Sequence, residues 1–142
     1  MSIHTLKNVR LSFPQLFQPQ VQQDGKKTFG ASFLFPATHP AKAGDTLTLY
    51  AIGLGPTSPY VATGQPAPSS EPLARLTSMP VVTFGGGVGS PTANPLFAGL
   101  SPTYAGLYQV NVTIPDNAPK GNVFVSLAFG DSTSNSVLIF IH

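Results

Sequence analysis

The sequence predicts an all-β chain folded as a β-sandwich of about eight or nine short strands, with a β-hairpin added at its N-terminus. Three observations carry this. Glycine (14) and proline (15) together take about a fifth of the 142 residues, a density that breaks long helices and supplies turns. Apolar and polar residues alternate with period two in short runs, the pattern of half-buried strands. Turn-forming clusters separate these runs at regular intervals, as in sandwiches. The length suits one domain. Only 8% of residues are charged, against about 25% in ordinary domains, so Ser, Thr, Asn, Gln, Gly and Pro must build the surface. A mean hydropathy of +0.15 and 10% aromatic residues argue against disorder.

The N-terminal hairpin comes first. Leu6–Phe13 alternates so that Val9, Leu11 and Phe13 face inward, and Pro14, without an N–H, ends the strand. Gln15–Gln23 is polar, and Asp24-Gly25 is a tight-turn signal. Thr28–Phe35 is the second strand, with Phe29, Ala31, Phe33 and Phe35 on one face. Pro36 stops it. This divides the chain into a basic, Phe-rich hairpin segment over 1–36, a linker over 37–45 and a sandwich domain over 46–142.

Within the sandwich, Thr46–Ile52 sets Leu47, Leu49 and Ala51 against Thr46, Thr48 and Tyr50, a half-buried strand. Gly53–Gln65 reads as a loop, and Pro66–Pro72 as an extended, polyproline-like surface segment. Further strands are expected at Leu73–Thr77, Pro80–Phe84, Ala93–Phe97, Gly106–Ile114, Asn122–Phe129 and Ser136–Ile141. Gly85-Gly86-Gly87 is a turn that lacks the Lys-Ser/Thr and helix of a phosphate loop. The expected core is Val9, Leu11, Phe33, Leu47, Leu49, Val82, Leu107, Val110, Val112, Val125, Leu127 and Ile139. In the strand through Val110, the residues Tyr108, Val110, Val112 and Ile114 point inward. Gln109 and Asn111 lie on the opposite face, solvated or meeting a partner.

Charge is uneven. Lys7, Arg10, Lys26, Lys27 and Lys42 face a single acid, Asp24, in residues 1–42, whereas the remainder sets Arg75 and Lys120 against Asp45, Glu71, Asp116 and Asp131. Cations interleaved with aromatic rings suit single-stranded nucleic acid, phosphates to the cations and bases to the rings. Lys7, Arg10, Lys26, Lys27 and Phe29 are the candidates. An apolar strand face is also how a core strand looks, and for the phenylalanines that reading is preferred.

No catalytic or metal-binding set emerges, and no cofactor is expected. With no cysteine, disulfides, thiolate zinc sites and thiol nucleophiles are excluded. His4, His39 and His142 share no strand face, and no Gly-x-Ser-x-Gly elbow is present. The aspartates sit beside Gly, Asn or Ser, where Asp makes turns; scattered singly, they fall short of the roughly six to eight oxygens of calcium. Asn111-Val112-Thr113 matches a glycosylation acceptor but lies within a strand. No apolar run approaches the roughly 20 residues of a membrane span, and the N-terminus lacks the apolar stretch of a signal peptide.

Two resemblances add to this. Pro40-Ala41-Lys42-Ala43-Gly44-Asp45, the strand Thr46–Tyr50 followed by Gly53-Leu54-Gly55-Pro56, and Phe97-Ala98-Gly99-Leu100-Ser101-Pro102 carry the first. It continues through Ala105-Gly106-Leu107-Tyr108-Gln109-Val110-Asn111-Val112 to Ile114-Pro115 and Ser134-Asn135-Ser136-Val137. Over residues 40–141 this resembles an uncharacterised β-sandwich domain family at the C-termini of large secreted bacterial proteins. It implies an immunoglobulin-like fold, no catalysis, and a secreted or cell-surface location. In the second, Val9-Arg10-Leu11-Ser12-Phe13-Pro14, Leu16-Phe17-Gln18-Pro19 and Thr28–Pro36 resemble the start of a phage single-stranded DNA-binding protein family with an OB-like barrel. The chain therefore reads as a fusion. The function expected is a non-catalytic module for structural assembly, adhesion or surface display, with single-stranded nucleic-acid binding as the alternative. Expected partners are a homo-oligomer formed by edge-strand pairing or single-stranded DNA, with no membrane insertion.

Overall fold

Period-two alternation does build the strands. A computed structural model describes residues 10–11 and 41–142, and among them there is no helix. The strands are β1 (Arg10–Leu11), β2 (Thr46–Ile52), β3 (Thr57–Ser58), β4 (Arg75–Leu76), β5 (Val81–Phe84), β6 (Thr92–Ala93), β7 (Phe97–Leu100), β8 (Tyr108–Thr113), β9 (Gly121–Phe129), β10 (Ser132–Thr133) and β11 (Val137–Ile141). They form two antiparallel sheets. The first runs β1-β2-β8-β7-β4-β3, the second β10-β9-β5-β6, with β11 also on β9. Ala128 pairs with both Val81 and Thr133, and Val125 with both Phe84 and Val137. β10 and β11 therefore follow one another along the side of β9 opposite β5. The series β1-β2-β8-β7 against β11-β9-β5 has the A-B-E-D against G-F-C order of the immunoglobulin sandwich.

The core lies between the sheets. Leu47, Leu49, Ala51, Ala98, Val110, Val112 and Ile114 meet Val82, Phe84, Val123, Val125, Leu127, Ile139 and Ile141 in one cluster, all buried. No buried side-chain nitrogen or oxygen among the described residues lacks a hydrogen bond. Eight of the expected core residues are buried here: Leu47, Leu49, Val82, Val110, Val112, Val125, Leu127 and Ile139. Leu107 is only half-buried, because it precedes β8 in phase with Gln109 and Asn111, the outward residues. Val9 and Phe33, and the side chain of Leu11, lie outside the described residues. So do the expected hairpin turn at Asp24-Gly25 and the strand Thr28–Phe35; of Leu6–Phe13, only the backbone of Arg10–Leu11 is described, paired with Ile52 and Ala51.

Three readings change. The expected strand Ala93–Phe97 is two strands in different sheets: β6 pairs with β5, and β7 with β4 and β8. Pro95, which cannot donate to a ladder, stands where the chain crosses between sheets. The loop Gly53–Gln65 contains β3, whose Thr57 and Ser58 pair with Leu76 and Arg75. The segment Pro66–Pro72 is not purely surface: Ala67 is buried and forms a parallel bridge with Pro102. The stretch 41–45 is also held by the sandwich. Ala41 bridges Ile141, Ile114 donates to the Asp45 carbonyl at 2.9 Å, and the Asp45 carboxylate accepts the Lys42 N–H at 3.0 Å. That last bond is the turn role expected of Asp45.

Candidate functional site

At one end of the sandwich three loops converge. Tyr108, the first residue of β8, pairs with Ala51 near the end of β2 and with Leu100 at the end of β7. The loops leaving those strands, 53–56 and 101–107, therefore emerge together, and the long loop 59–74 packs beside them. Tyr108 ties the first: its half-buried hydroxyl donates to the Gly55 carbonyl at 2.6 Å. The bond spans 53 residues of sequence. Burial raises the Tyr108 pKa above its ordinary 10.0.

The long loop is pinned at Ala67. Its N–H donates to the Tyr104 carbonyl and its carbonyl accepts the Thr103 N–H, both at 3.0 Å. Ser101 accepts from Tyr104 at 3.1 Å and donates to Leu107 at 2.7 Å. Beneath this lattice Ala67, Ala74 and Leu100 form a small apolar cluster, against which Val61 and Tyr108 pack. Thr103 has φ +71°. A β-branched residue in the left-handed region is strained, at roughly 1–3 kcal/mol. Such strain persists only where surrounding bonds over-determine it, and it gathers at ligand clamps. Next to it, Tyr104 is 47% exposed, and Tyr60, on the long loop, is 80% exposed. Gln65, Ser69 and Ser70 are exposed on the same loop. Tyrosine with small polar residues on a rigid scaffold is the composition of recognition loops.

The outer face of the first sheet is differently arranged. Ser101 Oγ donates to Gln109 Oε1 at 3.2 Å, and Gln109 Nε2 donates to Asn111 Oδ1 at 3.0 Å. The two amides thus bond along their own strand. Beside them the Arg75 guanidinium lies 5.1 Å from the centre of the Phe97 ring and pairs with Glu71 at 2.7 Å. The Leu73 N–H, then Arg75, hold the Glu71 carboxyl below its usual range. Gly99 makes room: a side chain there would meet the Ala74 carbonyl oxygen and crowd Phe97.

Of the residues singled out from sequence for nucleic acid, Arg10 is described only in backbone, opposite Ile52. Lys7, Lys26, Lys27 and Phe29 lie outside the described residues. Among the described residues no three of His, Asp or Glu come together. Sequence reasoning singled out neither Tyr60 nor Tyr104 as a contact residue. The available signal was tyrosine inside Gly-, Pro- and Ser-rich loops; nothing local announces the Thr103 conformation. No protein-family model, curated protein or solved structure matches the chain.

Proposed function

We propose that the chain is a non-catalytic β-sandwich module for adhesion, surface display or structural assembly, and that its contact surface is the loop end bearing Tyr60 and Tyr104. The observation that carries this reading is the pair of exposed tyrosines on backbone clamped at Ala67 and Ser101 and strained at Thr103. Rigid aromatic anchors bind well because little entropy remains to be lost. Selection from a displayed random-peptide library against the full chain tests it. Enriched peptides are expected to lose binding to a Tyr60→Ser, Tyr104→Ser variant. Peptides that bind this variant as well as its parent refute the reading.

A second reading is single-stranded nucleic-acid binding through the basic N-terminal segment. What favours it is the basic charge of the segment, together with β1, whose backbone at Arg10 pairs with Ile52 as the outermost strand of the first sheet among the described residues. Retention on single-stranded DNA at about 50 mM salt is expected. Replacing Lys26 and Lys27 by Ala reduces the salt slope by about two phosphate contacts. No retention at that salt excludes it.

A further inference from the structure

The outer face of the first sheet carries aromatic and amide side chains in register. On β2 and β8 the residues that alternate with buried Leu49 and Val110 are Thr48, Tyr50, Gln109 and Asn111, all half-buried. Cross-strand pairing sets them in two rows. Tyr50, Gln109 and Gly99 lie abreast with Arg75 beyond them, and Thr48, Asn111 and Phe97 form the next row. Strands lie roughly 4.8 Å apart, so Tyr50 and Arg75 stand on the order of 14 Å apart across the sheet. The Phe97 ring lies against Gly99, where an added carbon would be 3.0 Å from Cζ. It carries the Arg75 guanidinium over it, 5.1 Å from its centre.

Two features set this face apart from an ordinary solvated one. The amides are fixed from a buried anchor: Ser101, 3% exposed, donates to Gln109, whose Nε2 donates to Asn111 Oδ1. Both bonds run in the same direction, so each polarises the next. The series ends on Asn111 Nδ2, a donor with no partner among the described residues, and the Tyr50 hydroxyl has none there either. Charge, in contrast, is cancelled. The outward residues of β2, β8, β7 and β4 carry one charge, Arg75, and Glu71 neutralises it at 2.7 Å.

We propose that this face binds a neutral oligosaccharide lying across the strands between Tyr50 and Arg75. A sugar ring has an apolar C–H face, which packs on an aromatic ring whose own face is negative; Tyr50 supplies that ring. Sugar hydroxyls both donate and accept, so they match the Asn111 N–H groups, the Tyr50 hydroxyl and the Arg75 N–H groups not turned to Glu71. A few fixed polar groups beside an apolar surface orient such a ligand, and side chains already held by Ser101 and Gln109 lose little freedom on binding. The cancelled charge selects against nucleic acid or an acidic polymer, which draws on unpaired cations. This surface is separate from the loop end bearing Tyr60 and Tyr104.

A printed array of neutral and acidic oligosaccharides, probed with the full chain at about 0.15 M and about 1 M NaCl, tests the proposal. Binding to neutral oligosaccharides is expected at both salt concentrations. Tyr50→Thr and Asn111→Thr each keep a strand-forming residue and remove one contact. Each is expected to weaken binding about tenfold or more while melting as the parent does. Binding to no neutral oligosaccharide, or only to acidic ones and lost in high salt, overturns the proposal. So does binding that persists in both variants. Binding lost instead in Tyr60→Ser, Tyr104→Ser moves the ligand to the loop end and overturns it as well. A parent seen by light scattering to self-associate, and made monomeric by Tyr50→Thr, gives the face to a second copy and equally overturns it.

Discussion

Tyr108→Phe isolates the bond that anchors the loop end. The ring packs against Ala67, Ala74 and Leu100, and phenylalanine keeps that packing. What disappears is the 2.6 Å bond from the hydroxyl to the Gly55 carbonyl, which leaves a half-sheltered acceptor without its donor. Such a loss costs about 1–2 kcal/mol, a fall in thermal midpoint of about 3–8 °C for a chain of this length. The effect carries a pH signature. Burial raises the folded-state pKa of Tyr108 above 10.0, so its contribution is complete below the unfolded value and is lost as pH rises through the folded one. The parent therefore loses stability above about pH 10, while the variant lacks that component and the gap between them narrows. Urea unfolding followed by far-ultraviolet circular dichroism at pH 7 and above pH 10 reads both effects. Equal midpoints for parent and variant at neutral pH would refute the assignment. A gap that widened in alkali would refute the sign of the linkage.

Two further outcomes bear on the sandwich. Gly99→Ala would set a carbon against the Ala74 carbonyl oxygen, 2.9 Å from Arg75 Cα and 3.0 Å from Phe97 Cζ. A cost of about 1–3 kcal/mol is expected, and a thermal midpoint matching the parent would show that β4 does not lie against β7. Val110→Asp puts a charge at a fully buried position on β8, between β2 and β7. A loss of about 3–5 kcal/mol or of folding altogether is expected, and a parent-like melting curve would refute the inward phase of β8.

The strands legible in the sequence were those whose alternation is long and whose one face is dry. β2, β8 and β9 fix their register through Leu47, Leu49, Val110, Val112, Val125 and Leu127, since a slip of one residue would turn every one of them to water. Of the two-residue strands, β3 and β10 were not legible and β6 only at Ala93. Thr57-Ser58 and Thr92-Ala93 hold no pattern of their own and exist because β4 and β5 offer them an edge. The split between β6 and β7 was announced only by Pro95, which forbids a ladder bond without saying to which sheet the chain goes next. At the loop end the limitation was sharper. Tyr104 and Tyr108 look alike in sequence, both near Gly106, yet one ring is exposed and the other packs on a cluster supplied by Ala67 and Ala74. Burial there is decided by residues more than thirty positions away.

The scarcity of charge connects these features. With few ion pairs to fix surface groups, the chain orders its irregular backbone by hydrogen bonds among neutral groups: Ala67 with Thr103 and Tyr104, Ser90 with Gly87, Ser134 with Leu127. These bonds are short in range and insensitive to salt, so the loop end keeps its shape where exposed ion pairs would be screened. Thr103 is the measure of that order, because its strained φ survives only if the bonds on either side outweigh the strain. On the proposed function, a surface held this way would present Tyr60 and Tyr104 already ordered, and contact there would draw on burial and shape rather than on charge.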